Sequence, residues 1–173
     1  GAANTYADGQ VVLVHGGTAD KPATWALQQA AAVTVDGEIY VDGGAVTIPA
    51  GATYAFADGA GLYVGYGNTG TLIVQGTTDQ PVTFKGVRDE AGAWKGVELY
   101  SKAVASTLTQ LHVSDAATAC VRASGGAAVT IDGLVGTKCE TAALTWDCGS
   151  KVKPNGVKAA GGTPKGALAP EGC

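Results

Sequence analysis

The feature that most constrains the fold is a recurring pair of apolar residues two positions apart. From Val33 onward each pair is flanked by Gly, Asn, Asp, Pro or Ser, the residues that form turns. A spacing of two is the period of a β-strand, in which alternate side chains share one face. The pairs are Val33/Val35, Ile39/Val41, Val46/Ile48, Tyr54/Phe56, Leu62/Val64, Leu72/Val74, Val82/Phe84, Val97/Leu99, Leu111/Val113 and Val129/Ile131. We therefore predict many short strands with one buried face, and little helix.

The pairs also recur at a longer interval. Val46 and Leu72 are 26 residues apart, and Leu72 and Val97 are 25 apart. Three short strands fit into each interval, and a repeat of about 20 to 50 residues is typical of solenoids. The sequence of 173 residues thus predicts one all-β domain, a parallel β-solenoid of about five coils.

Three stretches of this repeat resemble a known family. They are GAVTIPAGAT at 44–53, GTLIVQGTTDQPVTF at 70–84 and GAWKGVEL at 92–99. They are similar to the repeats of right-handed parallel β-helix proteins of bacterial surfaces and secretions, the pectate-lyase-like fold. The resemblance covers about residues 25 to 135 and implies a right-handed β-helix in an exposed location. It implies little about a reaction, because lyases, tailspikes and adhesins share this fold.

Both ends of the chain differ from the predicted solenoid body, residues 33–148. Residues 1–32 are expected to cap the first coil, because an uncovered solenoid end exposes strand edges. Within them, 24–32 is predicted as a short helix or irregular plug; alternatively, Val11 to Val14 already form a strand that pairs with the body or with a neighbouring molecule. Residues 149–173 are predicted to be an irregular tail. The tail has a net charge of +3 and the preceding residues −7, so the two attract.

The four cysteines all lie in the last third of the chain: Cys120, Cys139, Cys148 and Cys173. Their even number predicts two disulfides and an oxidising compartment; the alternative is free buried thiols in a cytosolic protein. The sequence contains no C-x-x-C motif, the pattern that would have indicated a zinc or redox site. Of the three pairings that four cysteines allow, we favour Cys120 with Cys139 and Cys148 with Cys173.

Few residues suggest catalysis. A lyase or hydrolase needs several carboxylates with Arg or Lys on one face. Asp36, Glu38 and Asp42 lie close in sequence, but Asp-Gly neighbours are equally typical of turns. His15 and His112, the two histidines, lie too many coils apart to share a site. We therefore predict no catalytic residue, no metal and no cofactor.

The longest loop between strands is the predicted ligand-binding segment, because binding residues concentrate on loops that a rigid scaffold holds. It contains Lys85, Arg88, Asp89, Glu90 and Lys95. The mixed signs of these charges favour the alternative of a solvated loop. Trp94, which precedes a strand, is assigned to packing over the coil.

Outward-facing residues suggest two further surfaces. An aromatic strip for sugar stacking would use Tyr40, Tyr63, Tyr66 and Tyr100, although scattered tyrosines are also ordinary surface residues. A flat threonine ladder for ice binding would use Thr47, Thr83 and Thr130, but intervening rungs interrupt it.

Charge and hydropathy exclude other classes of partner. The net charge of −4 disfavours nucleic acid, and no apolar run reaches the roughly 18 residues of a membrane span. We predict a non-enzymatic, extracellular or cell-surface structural protein that associates with itself, head-to-tail into a filament, or with other surface proteins. The alternative is a carbohydrate-binding or polysaccharide-cleaving module that uses the outward face near residues 85 to 100.

Overall fold

The computed structural model describes residues 10–26, 32–161, 166 and 168–171. These residues form short β-strands, with no helix among them. The strands are β1 (Val11–Val14), β2 (Gly17–Ala19), β3 (Ala23–Thr24), β4 (Ala32–Val35), β5 (Glu38–Val41), β6 (Ala45–Pro49), β7 (Thr53–Phe56), β8 (Gly61–Val64), β9 (Thr71–Gln75), β10 (Val82–Gly86), β11 (Val97–Leu99), β12 (Ser106–Ser114), β13 (Val121–Ala123), β14 (Ala128–Thr137), β15 (Leu144–Asp147), β16 (Lys151–Asn155), β17 (Lys158–Ala160) and β18 (Leu168–Glu171).

The strands stack in parallel on three faces of one solenoid. Face 1 contains β3, β6, β9, the first half of β12, the first half of β14, and β16. Face 2 contains β1, β4, β7, β10, the second halves of β12 and β14, and β17. Face 3 contains β2, β5, β8, β11, β13, β15 and β18. The predicted all-β parallel solenoid is confirmed, with about six coils rather than about five.

The corner between faces 1 and 2 is crossed by β12 and β14 without a break in either strand. Each strand bends at a residue in the left-handed region, Gln110 with φ 44° and Gly133 with φ 81°. A Cβ on Gly133 would lie 2.3 Å from the Gln110 amide nitrogen. The Gln110 side chain of the coil before thus covers the bend, and glycine adopts the positive φ there without strain.

The interior consists of the inward members of the apolar pairs. Trp94 is 1% exposed, its ring centroid lies 4.1 Å from that of Phe56, and the two rings stack. Its indole N–H donates to the carbonyl oxygen of Ser114 at 2.7 Å. The predicted packing role of Trp94 is confirmed, because a buried indole needs both apolar contact and an acceptor.

The two ends are more regular than we predicted. At the N-terminal end β1 pairs in parallel with β4, so Val11 to Val14 form the strand that we gave as the alternative. The described part of segment 24–32 holds the end of β3 and the start of β4, and residues 27–31 lie outside the described residues. Segment 149–173, predicted to be irregular, contains β16, β17 and β18. Backbone hydrogen bonds to the previous coil form these strands without the apolar pairs on which the prediction relied.

One disulfide joins neighbouring coils as predicted. Cys120 and Cys139 are bonded, with both residues fully buried. Cys148 is also disulfide-bonded, and Cys173, the partner we expected for it, lies outside the described residues. None of the three described cysteines is a free thiol, which excludes the free-thiol alternative for them.

Candidate functional site

Three charged residues of the predicted ligand-binding loop form ion pairs within the protein. Arg88 donates to the Asp58 carboxylate at 2.9 Å and also pairs with Glu90. Asp89 accepts a hydrogen bond from Lys138 at 2.7 Å, and this bond holds the pKa of Asp89 below its usual value. The structure therefore favours the solvated-loop alternative for these residues.

Lys85 and Lys95 remain exposed at the two ends of this segment. Lys85 follows Phe84 in β10 on face 2. Lys95 lies beside Gly61 of β8, close to where face 3 begins, and its side chain has no ion-pair partner within the described part of the chain. The segment therefore does not bring its five charged residues together in one site.

The four outward tyrosines lie together on face 3, and we call them the tyrosine patch: Tyr40, Tyr63, Tyr66 and Tyr100. The ring centroids of Tyr40 and Tyr63 are 5.2 Å apart and the rings stack. Tyr66 lies 5.6 Å from Tyr40 and 5.0 Å from Tyr100, which in turn lies 6.2 Å from Tyr63. Each ring thus contacts two others, so the predicted aromatic strip exists as a closed cluster.

Strand alternation and register place two of these rings. Tyr40 lies between buried Ile39 and Val41, so its side chain points outward. β5 and β8 are in register with Tyr40 opposite Tyr63, which stacks the rings on consecutive coils. The next residues in the same row are Glu98 and Arg122.

Two glycines shape the turn that presents Tyr66. Gly65 has φ 67°, and a Cβ there would lie 2.0 Å from the Ala103 nitrogen. A Cβ on Gly70 would lie 1.8 Å from the carbonyl oxygen of Val41. The neighbouring coils therefore pass too close for any side chain at the start or end of this turn.

A buried carboxylate fixes the same turn. Asp42 is 8% exposed and accepts the backbone N–H groups of Tyr66 at 2.8 Å and Gly67 at 2.7 Å. Lys102 donates to the carbonyl oxygen of Gly67. Tyr66 itself remains 60% exposed, so its ring is held in place while one side contacts solvent.

Two glutamates accept hydrogen bonds from the tyrosine hydroxyls. Tyr40 and Tyr63 donate to Glu38 at 2.6 and 3.4 Å, and Tyr100 donates to Glu98 at 2.5 Å. The hydrogen bond to Glu38, with burial second, raises the pKa of Tyr40 to about 12. Burial is the main cause that raises the pKa of Tyr63 and Tyr100. These hydroxyls therefore stay protonated as donors at neutral pH.

The carboxylates considered for catalysis are engaged separately. Asp36 contacts the ring nitrogen of His15 at 2.9 Å, whereas Glu38 binds tyrosines and Asp42 binds backbone amides. Within the ranges that the structure describes, no three His, Cys, Asp or Glu side chains are placed to hold a metal ion. His112 lies in β12, four strands along face 2 from β1, which His15 follows.

The threonines considered for ice binding are divided between two faces. Thr47 and Thr130 lie in one outward row of face 1, which also contains Thr24, Ile73, Thr107 and Lys153. Thr83 lies on face 2. The row is interrupted by an apolar residue, as the sequence indicated.

The sequence contained a signal for the carboxylates of the site that we did not use. Glu38 and Tyr40 are separated by one residue, and so are Glu98 and Tyr100. On a strand this Glu-x-Tyr spacing places both side chains on the same face. Read together with the period near 25, it would have predicted glutamates beside the tyrosine patch.

Comparison with known proteins does not assign a family. No family model, no curated protein and no solved structure matches this chain. Among the described residues, no helix has the length and apolar character needed to cross a membrane. The function of this protein must therefore be inferred from its fold and from the chemistry of its surface.

Proposed function

We propose that this protein is a non-enzymatic, extracellular surface module that binds polysaccharide on its tyrosine patch. The observation that carries the proposal is the contiguous set of four rings on face 3, with the Tyr66 ring 60% exposed and the Glu38 and Glu98 carboxylates beside it.

The chemistry of the patch suits a sugar. The C–H face of a pyranose packs against an aromatic ring, and its hydroxyl groups need acceptors and donors at the rim of that contact. Glu38 and Glu98 supply carboxylate acceptors, and the tyrosine hydroxyls supply further polar atoms. A few polar groups around an apolar surface fix the orientation of a ligand.

The scaffold suits a polymer rather than a small ligand. Consecutive strands of a sheet are about 4.8 Å apart, and the tyrosines come from neighbouring coils on one face. The patch therefore extends over three consecutive coils, with Tyr66 exposed, Tyr40 and Tyr100 half-buried and Tyr63 buried, so that a sugar of a longer chain would stack on Tyr66. The pectate-lyase-like resemblance of the repeat is consistent with this proposal at the level of fold.

The cysteines support the proposed extracellular location. Disulfides such as Cys120–Cys139 and the one at Cys148 are typical of proteins in oxidising compartments.

The test is binding of neutral polysaccharides, such as xylan, dextran and a soluble β-glucan, by affinity electrophoresis. We expect the protein to bind at least one of them, and Tyr66→Ala to weaken that binding about tenfold, which corresponds to loss of one well-packed ring contact. His112→Ala is the matched control, because it removes an aromatic ring from face 2.

Two results would contradict the proposal. Equal binding by Tyr66→Ala and the unchanged protein would separate the patch from the ligand, and no binding to any polysaccharide would remove the function. Release of new reducing or unsaturated ends during incubation would show cleavage and overturn the non-enzymatic part.

Head-to-tail association is a second candidate, which the distribution of charge along the axis favours. Residues 10–76 carry one lysine against five carboxylates, whereas residues 149–161 carry three lysines and no carboxylate. The two ends of the solenoid thus attract one another between molecules, and a heterologous contact of this kind propagates into a filament.

A further inference from the structure

A second surface lies on face 1, and none of its lining residues belongs to the tyrosine patch. It is a shallow trough of about 330 Å³ across β12, β14 and β16. Its lining includes Ala105, Ala128, Thr107, Thr130, Lys151 and Lys153. These residues come from three consecutive coils that are paired in register.

The floor of the trough is low because its residues are small. Ala105 has φ 48°, in the left-handed region, and Ala128 follows in the next coil. Neither residue has a side chain beyond Cβ, so a ligand chain can approach the strand backbone. The feature is therefore open along its length rather than a closed pocket.

One wall of the trough carries hydroxyl groups that lead to an ammonium group. The register aligns Thr107 with Thr130 and Thr130 with Lys153, at about 4.8 Å per coil. Thr130 and Lys153 are both exposed. The hydroxyl groups of the two threonines, which can donate and accept hydrogen bonds, are thus followed in the next coil by the ammonium group of Lys153.

The charge of the trough is not neutralised by the chain around it. Lys151 and Lys153 project from the same side of β16, two residues apart, and neither has a carboxylate within ion-pair distance in the part of the chain that the structure describes. The nearest acidic residue of the adjoining row, Asp132, accepts a hydrogen bond from Asn155 at 2.8 Å instead. The end of the trough is therefore cationic.

We propose that this trough binds an acidic polysaccharide, with its carboxylate groups on Lys151 and Lys153 and its hydroxyl groups on Thr107 and Thr130. A polymer with one charge per sugar matches two lysines beside uncharged hydroxyls. Single-stranded nucleic acid is the poorer match, because the trough presents no aromatic ring on which a base stacks. The proposal does not depend on the tyrosine patch.

The experiment measures binding to polygalacturonate by affinity electrophoresis, with dextran as the neutral comparison. We expect the Lys151→Gln/Lys153→Gln variant to bind polygalacturonate about tenfold more weakly, the effect of removing two exposed ionic contacts. The matched control is Lys85→Gln/Lys158→Gln, which removes the same charge from face 2. It is expected to bind as the unchanged protein does.

Three outcomes would overturn the proposal. One is equal weakening by both double variants, which would show attraction by net charge alone. Another is tighter binding of an oligothymidylate than of polygalacturonate, which would assign the trough to nucleic acid. The last is loss of polygalacturonate binding in Tyr66→Ala with full binding in Lys151→Gln/Lys153→Gln, which would contradict the trough while leaving the tyrosine patch intact.

Discussion

At the scale of single residues, the tyrosines of face 3 have two roles. Their rings form the surface that we propose for polysaccharide, and three of them donate hydrogen bonds to glutamates, of which the bond from Tyr40 to Glu38 is the main cause that raises the pKa of Tyr40. The hydroxyl–carboxylate bonds hold the rings in fixed positions, which lowers the entropy that a ligand would otherwise have to overcome on binding.

This arrangement makes the stability of the fold sensitive to alkaline pH. The pKa of Tyr40 is raised from 10.0 to about 12 in the folded chain, so above pH 10 the unfolded chain binds fewer protons than the folded chain. The free energy of unfolding is then expected to be constant below about pH 10 and to fall as the pH rises towards about 12. Guanidinium unfolding at a series of pH values measures it.

The phenolate absorbance of the folded protein provides the independent check. Tyr40→Phe should reduce the alkaline loss of stability, because the variant has one fewer hydroxyl to ionise in the unfolded chain. A folded protein whose tyrosines all titrate near pH 10, with stability unchanged above that pH, would contradict the assignment of these hydrogen bonds.

The sequence predicted correctly which residues face the core. It predicted less well which outward residues contact one another and how exposed each of them is. Alternation with period two correctly assigned Ile39 and Val41 to the core and Tyr40 to the surface. It did not distinguish Tyr63, which is 8% exposed, from Tyr66, which is 60% exposed. That difference depends on the register between coils and on the Gly65 turn, and neither is visible in a single strand.

At the scale of elements, the disulfide links the corners between face 2 and face 3 of two neighbouring coils. Cys120 precedes β13 and Cys139 follows β14, and the two are 19 positions apart in sequence. Because the cross-link closes a loop of this length, it restricts the unfolded chain while the folded coils are held by their hydrogen bonds in either case.

We expect Cys120→Ala/Cys139→Ala to retain the fold and to lose about 3 kcal/mol in free energy of unfolding, the value for a loop of comparable length. Chemical denaturation with circular dichroism measures the loss. Reduction also breaks the disulfide at Cys148, so the unchanged protein under reducing conditions should be no more stable than the oxidised double variant. Identical unfolding midpoints for the oxidised protein and the double variant would contradict a stabilising role.

The ends of the solenoid show where sequence patterning fails for elements. β16 has only Val152 half-buried against the core, so no apolar pair identified it as a strand. Its position is determined by pairing with β14, a contact between residues 23 apart, such as Ala128 with Lys151. A strand held by the coil before it leaves little local signal in its own residues.

At the scale of the whole molecule, the net charge changes from negative to positive along the solenoid axis. The kinds of exposed side chain also differ between the faces, with tyrosines on face 3 and threonines and lysines on face 1. The acidic coils lie near the N-terminal end and the lysines of β16 and β17 near the other. The tyrosine patch and the trough are formed by different residues, so separate variants test the two proposed ligands.

The charge gradient predicts that any association between copies is electrostatic. We expect sedimentation velocity to show larger species at an ionic strength of about 0.01 M, where charges act over roughly 30 Å, and to show dissociation at about 0.1 M, where they act over roughly 10 Å. A protein that remains monomeric at both salt concentrations and at high protein concentration would contradict head-to-tail association.

Because each strand pairs only with strands of the coils before and after it, the length of this molecule is adjustable in steps. Duplicating the coil that contains β12 and β13 would move the lysine end about 4.8 Å further from the acidic end. The strand pairing of the other coils would be unchanged, and Lys138 would be separated from Asp89, its partner two coils away. Evolution or design can therefore change the distance between the two ends by adding or removing whole coils, without altering the residues of either end.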